Sequence, residues 1–140
     1  MGSLTLILPP DIPVYGDTSY RGTCPVEDSE HITFLNMVRR AYPATWGRLM
    51  VHPQNEGKRT ANRAAWDRAR GSITRGAVDF ILPGSPSFVC EMKRRDHTKS
   101  KWQDGQIEYL IAAQSAGAFA CVALGHDAAR EAFEEWRKGL

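Results

Sequence analysis

The sequence lacks the features that would mark a secreted, membrane-bound or nucleotide-hydrolysing protein. Only three cysteines occur in 140 residues, Cys24, Cys90 and Cys121, odd in number and without a CxxC pair. Neither a disulfide framework nor a zinc ribbon can be read from them. Cys90 and Cys121 sit in apolar runs and read as buried, reduced thiols. The longest apolar stretch near the start, Leu4 to Pro9, is too short for a signal-peptide core, and Leu6 stands where a myristoylation pattern needs Ser or Thr. The expectation is a cytoplasmic protein with no membrane partner. No GxxxxGKS/T segment exists, so no nucleotide cofactor is expected. The four histidines, His31, His52, His97 and His126, show neither HExxH nor H-x3-5-H spacing, and nothing suggests a serine or cysteine hydrolase.

Net charge is also scarce, with 18 Lys and Arg against 16 Asp and Glu, a formal +2. That total hides a gradient. From Arg39 to Lys101 there are 14 basic residues and 5 acidic ones, a surplus of nine, while the flanks hold 4 basic and 11 acidic. A basic centre between acidic flanks suggests one surface built for a polyanion. The length fits one domain with its own core.

Residues 1–27 contain Pro9, Pro10, Pro13 and Pro25 without sustained periodicity and read as an extended arm, with a short strand at Leu4 to Leu8. The remainder, 28–140, reads as the domain proper. Asp28 or Ser29 can cap a helix whose stripe is Phe34, Leu35, Val38, Ala41 and Tyr42, stopped by Pro43. Arg48 to His52 is a candidate strand. Gly57 to Arg70 reads as a helix with a basic stripe. Ala77 to Leu82 and Phe88 to Lys93 are strands joined by Pro83-Gly84-Ser85-Pro86 as a hairpin. Lys101 to Ala116 reads as a helix with Ile107, Leu110 and Ile111 inward, Phe119 to Leu124 as a strand buried on both faces, and the end as a helix burying Ala129, Ala132, Phe133 and Trp136. An α-β-α-β-β-α-β-α order predicts an α/β domain, a mixed β-sheet flanked by helices.

Chemistry concentrates in the hairpin. Asp79 interrupts an apolar strand, and Glu91 and Lys93, two apart on the partner strand, project from one face. An Asp across from Glu91 brings two carboxylates together. A divalent ion relieves their repulsion: hard Mg²⁺ takes oxygen ligands, lowers the pKa of bound water and stabilises charge on a phosphate. The plainer alternative is a surface hairpin with a weak Glu–Lys ion pair.

The ordered set Asp79 to Lys93, Arg94-Arg95-Asp96-His97-Thr98-Lys99, Gln106-Ile107-Glu108-Tyr109-Leu110, Gly117-Ala118, Val122-Ala123-Leu124-Gly125 and Asp127-Ala128-Ala129, preceded by His52-Pro53-Gln54-Asn55-Glu56-Gly57-Lys58-Arg59, resembles the VRR-NUC (virus-type replication-repair nuclease) family. That family belongs to the PD-(D/E)xK, restriction-endonuclease-like superfamily. The resemblance covers about residues 28 to 136, and Val78 stands where the family usually has proline. It implies a restriction-endonuclease-like fold, Asp79 and Glu91 as ligands of Mg²⁺ or Mn²⁺, Lys93 as the catalytic lysine, and Glu30 as a further carboxylate near the metal. The Met92 carbonyl joins the implied ligand set. Relatives consisting of this domain alone, commonly from bacteriophages, act as homodimers on branched DNA such as four-way junctions, which implies a junction-resolving endonuclease of DNA replication, repair or recombination.

Gln106 and Gln103 share the helix face of Leu110, and a buried Gln needs hydrogen-bond partners; the resemblance implies that Gln106 reaches Lys93 or a metal-bound water, with a place at the solvent edge of the helix end as the alternative for both glutamines. Glu30 serves either the helix dipole or the site. His52 is a substrate contact or a strand-end residue. The expected phosphate contacts are His52, Asn55, Lys58, Arg59, Arg63 and Arg75 before the hairpin and Arg94, Arg95 and Lys99 after it, with ordinary solvation as the alternative for each. No major-groove reading motif is present. The arm is expected at a dimer interface or wrapped on its own core. Two rivals remain: a nucleic-acid-binding module with a vestigial site, and a nuclease subunit of a larger repair or packaging assembly.

Overall fold

The computed structural model describes residues 11–53, 65–66, 74 and 76–140. The expected strand at Leu4 to Leu8 and, apart from residues 65 and 66, the basic helix from Gly57 to Arg70 lie outside the described residues. The elements are β1 (Val14–Tyr15), α1 (Glu27–Ala41), α2 (Trp46–Leu49), β2 (Phe80–Leu82), β3 (Phe88–Lys93), a 3-10 turn (His97–Lys99), α3 (Gln106–Ser115), β4 (Phe119–Leu124) and α4 (His126–Lys138).

The strands form one mixed sheet in the order β1-β4-β3-β2. β4 lies parallel to both β1 and β3, and β2 and β3 are an antiparallel hairpin. Side chains alternate across β3. Phe88, Cys90 and Met92 face a core completed by Phe34 and Val38 of α1 and by Ala129, Ala132, Phe133 and Trp136 of α4. Val89 faces the opposite core, with Val122 of β4 and Leu110 of α3. Helices therefore cover both faces, which is why β3 and β4 read as nearly continuous apolar runs. Cys90 and Cys121 are register partners, buried and free.

β3, β4 and α4 form where the apolar periodicity places them. α1 also fits, with Glu27, Asp28 and Glu30 in its first turn and Arg39 and Arg40 in its last, complementing the helix dipole. Its N-cap is Val26, without a side-chain cap, rather than Asp28 or Ser29, and Ala41 is exposed. Other expectations need correction. Arg48 to His52 is not a strand: Trp46 and Met50, four residues apart, both turn toward the core, Trp46 packs on Trp136, and Trp46–Leu49 form a helical turn that takes in Arg48 and Leu49. Only Val51 bridges, to Ile81. The strand expected from Ala77 starts at Phe80, because the Asp79 side chain occupies the Met92 N–H (2.9 Å). The helix expected from Lys101 starts at Gln106, because Gly105 holds the left-handed φ of +90°. Gln103 therefore lies outside that helix and is exposed, and Ile111 is exposed while Gln106 and Leu110 take the inward positions.

Candidate active site

Charge is buried where β3 ends. Glu91 and Lys93 are each 1% exposed, on the face covered by α3. The Lys93 ammonium lies 3.3 Å from Glu91 Oε2 and donates to the Lys101 carbonyl (2.8 Å) and to Gln106 Oε1 (3.0 Å). Its cation also sits 4.5 Å from the centre of the Trp102 ring. Gln106 Oε1 takes a second donor, the Gln103 N–H, at 2.9 Å. A buried ammonium requires such a set, since an unpaired charge away from water costs several kcal/mol, of order 3–5 when one partner of a buried pair is removed. Gln106 thus meets Lys93, whereas Gln103 offers only its backbone.

Asp79 precedes β2, one step beyond the Phe80–Cys90 pair and therefore level with Glu91. Its carboxylate accepts the Met92 N–H and lies 3.3 Å from His31 Nε2. His31 is held edge-on to Phe80 and to His52, while His52 stacks flat on Phe80 and binds the Asp79 carbonyl through Nδ1. His52 therefore positions Asp79. One turn before His31, Glu27 accepts from Ser100 Oγ at 2.8 Å, and Ser100 Oγ accepts the Arg94 N–H at 2.9 Å. Burial alone lowers the His31 pKa; Asp79 beside it, with Glu27 and Asp28, outweighs this and leaves it raised.

Glu27, His31 and Asp79 each offer a ligand atom, all within 4.8 Å of one another. Ligands about 2.1 Å from an ion stand up to about twice that distance apart, so the donor set fits a divalent cation after small side-chain shifts. Glu30, the carboxylate expected there, is turned elsewhere: its Oε1 lies 2.6 Å from His126 Nδ1, and its buried Oε2 has no hydrogen-bond partner among the described residues. Gly125, at φ +92°, permits this packing, since a Cβ there would meet Glu30 Oε2 at 2.7 Å and Arg95 Cγ at 2.6 Å.

The basic rim divides. Arg94 is fastened to the arm, donating to the carbonyls of Cys24 (2.7 Å) and Pro25 (3.0 Å). Arg95, stacked over Tyr20 at 4.7 Å, and Lys99 are exposed. Asn55, Lys58, Arg59, Arg63 and Arg75 lie outside the described residues. Glu27, His31, His126 and Trp102 escaped the sequence reading. The i, i+4 spacing of Glu27 and His31, which places them on one helix face, was the available signal for that pair.

No family model matches the sequence, and no curated protein matches it. Among solved structures, a VRR_NUC domain protein superposes with a TM-score of 0.63 over 85% of this chain and 92% of its own, at 19% sequence identity. No described helix is long and apolar enough to cross a membrane. With its mixed sheet covered by helices on both faces, the chain has the fold of a VRR_NUC domain protein.

Proposed function

We propose that this protein is a divalent-metal-dependent DNA endonuclease that hydrolyses phosphodiester bonds, acting as a homodimer on branched DNA such as a four-way junction. The observation that carries the reading is the juxtaposition of Asp79, level with Glu91, and the buried Glu91–Lys93 pair within a VRR_NUC-type fold.

Each part of the site has a chemical task in that reaction. Mg²⁺ or Mn²⁺, when bound, supplies a Lewis acid for the phosphate and a more acidic water. Asp79 and Glu91 hold the cation, with Glu27 the α1 carboxylate clustered with Asp79 and the Met92 carbonyl a further oxygen donor. Lys93 has three ammonium hydrogens. The Lys101 carbonyl and Gln106 direct two of them, and the third points toward Glu91, where an attacking water can be oriented against phosphorus. Lys93 is thereby the catalytic lysine, Gln106 its positioning residue, and Glu30 a buried carboxylate behind the site, held by His126.

Arg95 and Lys99, with Lys58, Arg59, Arg63, Arg75, Asn55 and His52 on the preceding side, contact phosphates without reading bases, so affinity falls with salt. A single site per chain cuts one strand, and paired incision of a junction takes two subunits.

Cleavage of linear duplex, single strand, flap and four-way junction in Mg²⁺, Mn²⁺ and EDTA tests this. Junction cleavage is expected only with metal and is lost in Asp79→Asn, Glu91→Gln and Lys93→Ala, with folding checked by circular dichroism. Full activity of Glu91→Ala would overturn the proposal, as would salt-sensitive binding without any metal-dependent product. Light scattering of the active species reads the dimer directly.

A further inference from the structure

We propose that His31 is a nitrogen ligand of the bound cation, beside Glu27 and Asp79, so that the site selects a divalent transition ion over Mg²⁺. The inference rests on the nuclease reading for the site's purpose, but its geometry stands independently.

His31 is 9% exposed, and its Nε2 is buried without a hydrogen bond among the described residues. That nitrogen faces Asp79 Oδ2 at 3.3 Å, an ion-pair contact longer than a well-formed hydrogen bond. Beside two carboxylate groups and closed to water, that nitrogen is served either by a proton on the ring or by a cation in the proton's place. A cation joined to all three donors satisfies it and cancels the repulsion between the carboxylates.

Each donor is held by a separate contact. Ser100 Oγ orients Glu27, the Met92 N–H orients Asp79, and Phe80 with His52 fixes the plane of the His31 ring. Such outer contacts are what tune a metal site. Mixed nitrogen and oxygen donors suit first-row transition ions, whereas Mg²⁺ prefers oxygen and water alone. The four histidines are scattered in sequence, yet folding brings this one onto the carboxylates through α1.

Mn²⁺ alone, added to the full-length chain, is the probe, read by pulsed electron paramagnetic resonance. The wild-type protein is expected to show coupling to one histidine ¹⁴N, replaced by ¹⁵N coupling when histidine is isotopically labelled. His31→Gln is expected to lose that coupling and at least about tenfold in Mn²⁺ affinity, with a much smaller change for Mg²⁺ measured by competition. His52→Gln and His126→Gln retain the coupling. Bound Mn²⁺ without nitrogen coupling in the wild type overturns the inference, as does a failure to bind Mn²⁺ or coupling that persists in His31→Gln. The wild-type measurement stands even where a variant does not fold. Metal-dependent cleavage without nitrogen coupling removes this inference alone; nitrogen coupling without cleavage supports it and removes the nuclease reading.

Discussion

At its hairpin end β3 sets Phe88 against Phe133 and Trp136, whereas its other end, just as deeply buried, carries Glu91 and Lys93. Both ends lie in the same strand, paired with the same β4. The first needs nothing beyond complementary shape. The second draws in Lys101, Trp102 and Gln106 to compensate two charges, although well-packed apolar residues in place of a buried ion pair are often neutral or stabilising by about 1–4 kcal/mol. A charged end that stability does not require is what the proposed hydrolysis would use.

Lys93→Met breaks this contrast most severely. Leaving Glu91 buried beside an apolar chain is expected to destabilise the protein by about 3–5 kcal/mol in urea denaturation. The double variant Glu91→Leu/Lys93→Met is expected to recover most of that loss and to cleave nothing. A single variant as stable as wild type would show that the pair is not desolvated. Gln106→Leu comes next: removing one acceptor from a buried ammonium costs about 1–3 kcal/mol and lowers kcat more than it raises KM, as measured by steady-state cleavage. Phe88→Leu, at the apolar end, is expected to lose about 1 kcal/mol while the folded fraction keeps wild-type activity. Impaired chemistry in that variant would show that the two ends are coupled.

The smallest effect comes from outside the strand and depends on pH. Asp96 is lowered to about 2 by hydrogen bonds from the Thr98 side chain and then from the Gly22 backbone. Its folded-state value is below its unfolded one, so it stabilises above about pH 4 and that contribution is lost as pH falls toward 2. Asp96→Asn is expected to melt below wild type at pH 5, with the gap in Tm closing between pH 4 and pH 2.

The parts of the fold legible in sequence are those with one dominant local signal. β4 and α4 announce themselves by unbroken apolar runs or strict helical spacing, and the hairpin by its two prolines and a glycine. Misreadings arose where a distant contact decided. The strand expected at Arg48 to His52 yields Arg48 and Leu49 to a helical turn because Trp46 finds Trp136, and α3 starts late because Gly105 turns the backbone. The site divides similarly. Helix periodicity puts Gln106 on the inward face with Leu110, and its meeting with Lys93 is what the family resemblance implied. Glu27 and His31 do not, because Glu30 lies closer to the apolar stripe and draws attention first; only the packing of α1 over Phe80 brings the other two onto Asp79.

β1 has a consequence for the order of folding. It is two residues long, and Val14 and Tyr15 pair with Val122 and Ala123, near the opposite end of the sequence. Drawing those ends together means closing a very long loop before two residue pairs can repay the lost entropy. The hairpin and the β3–α3–β4 unit close much shorter loops, so they are ready to act as a template on which this edge docks late. In the mature protein the same economy runs in reverse: the β1 edge should open first, ahead of the central strands, and native-state hydrogen exchange would find Val122 exchanging more readily than Met92.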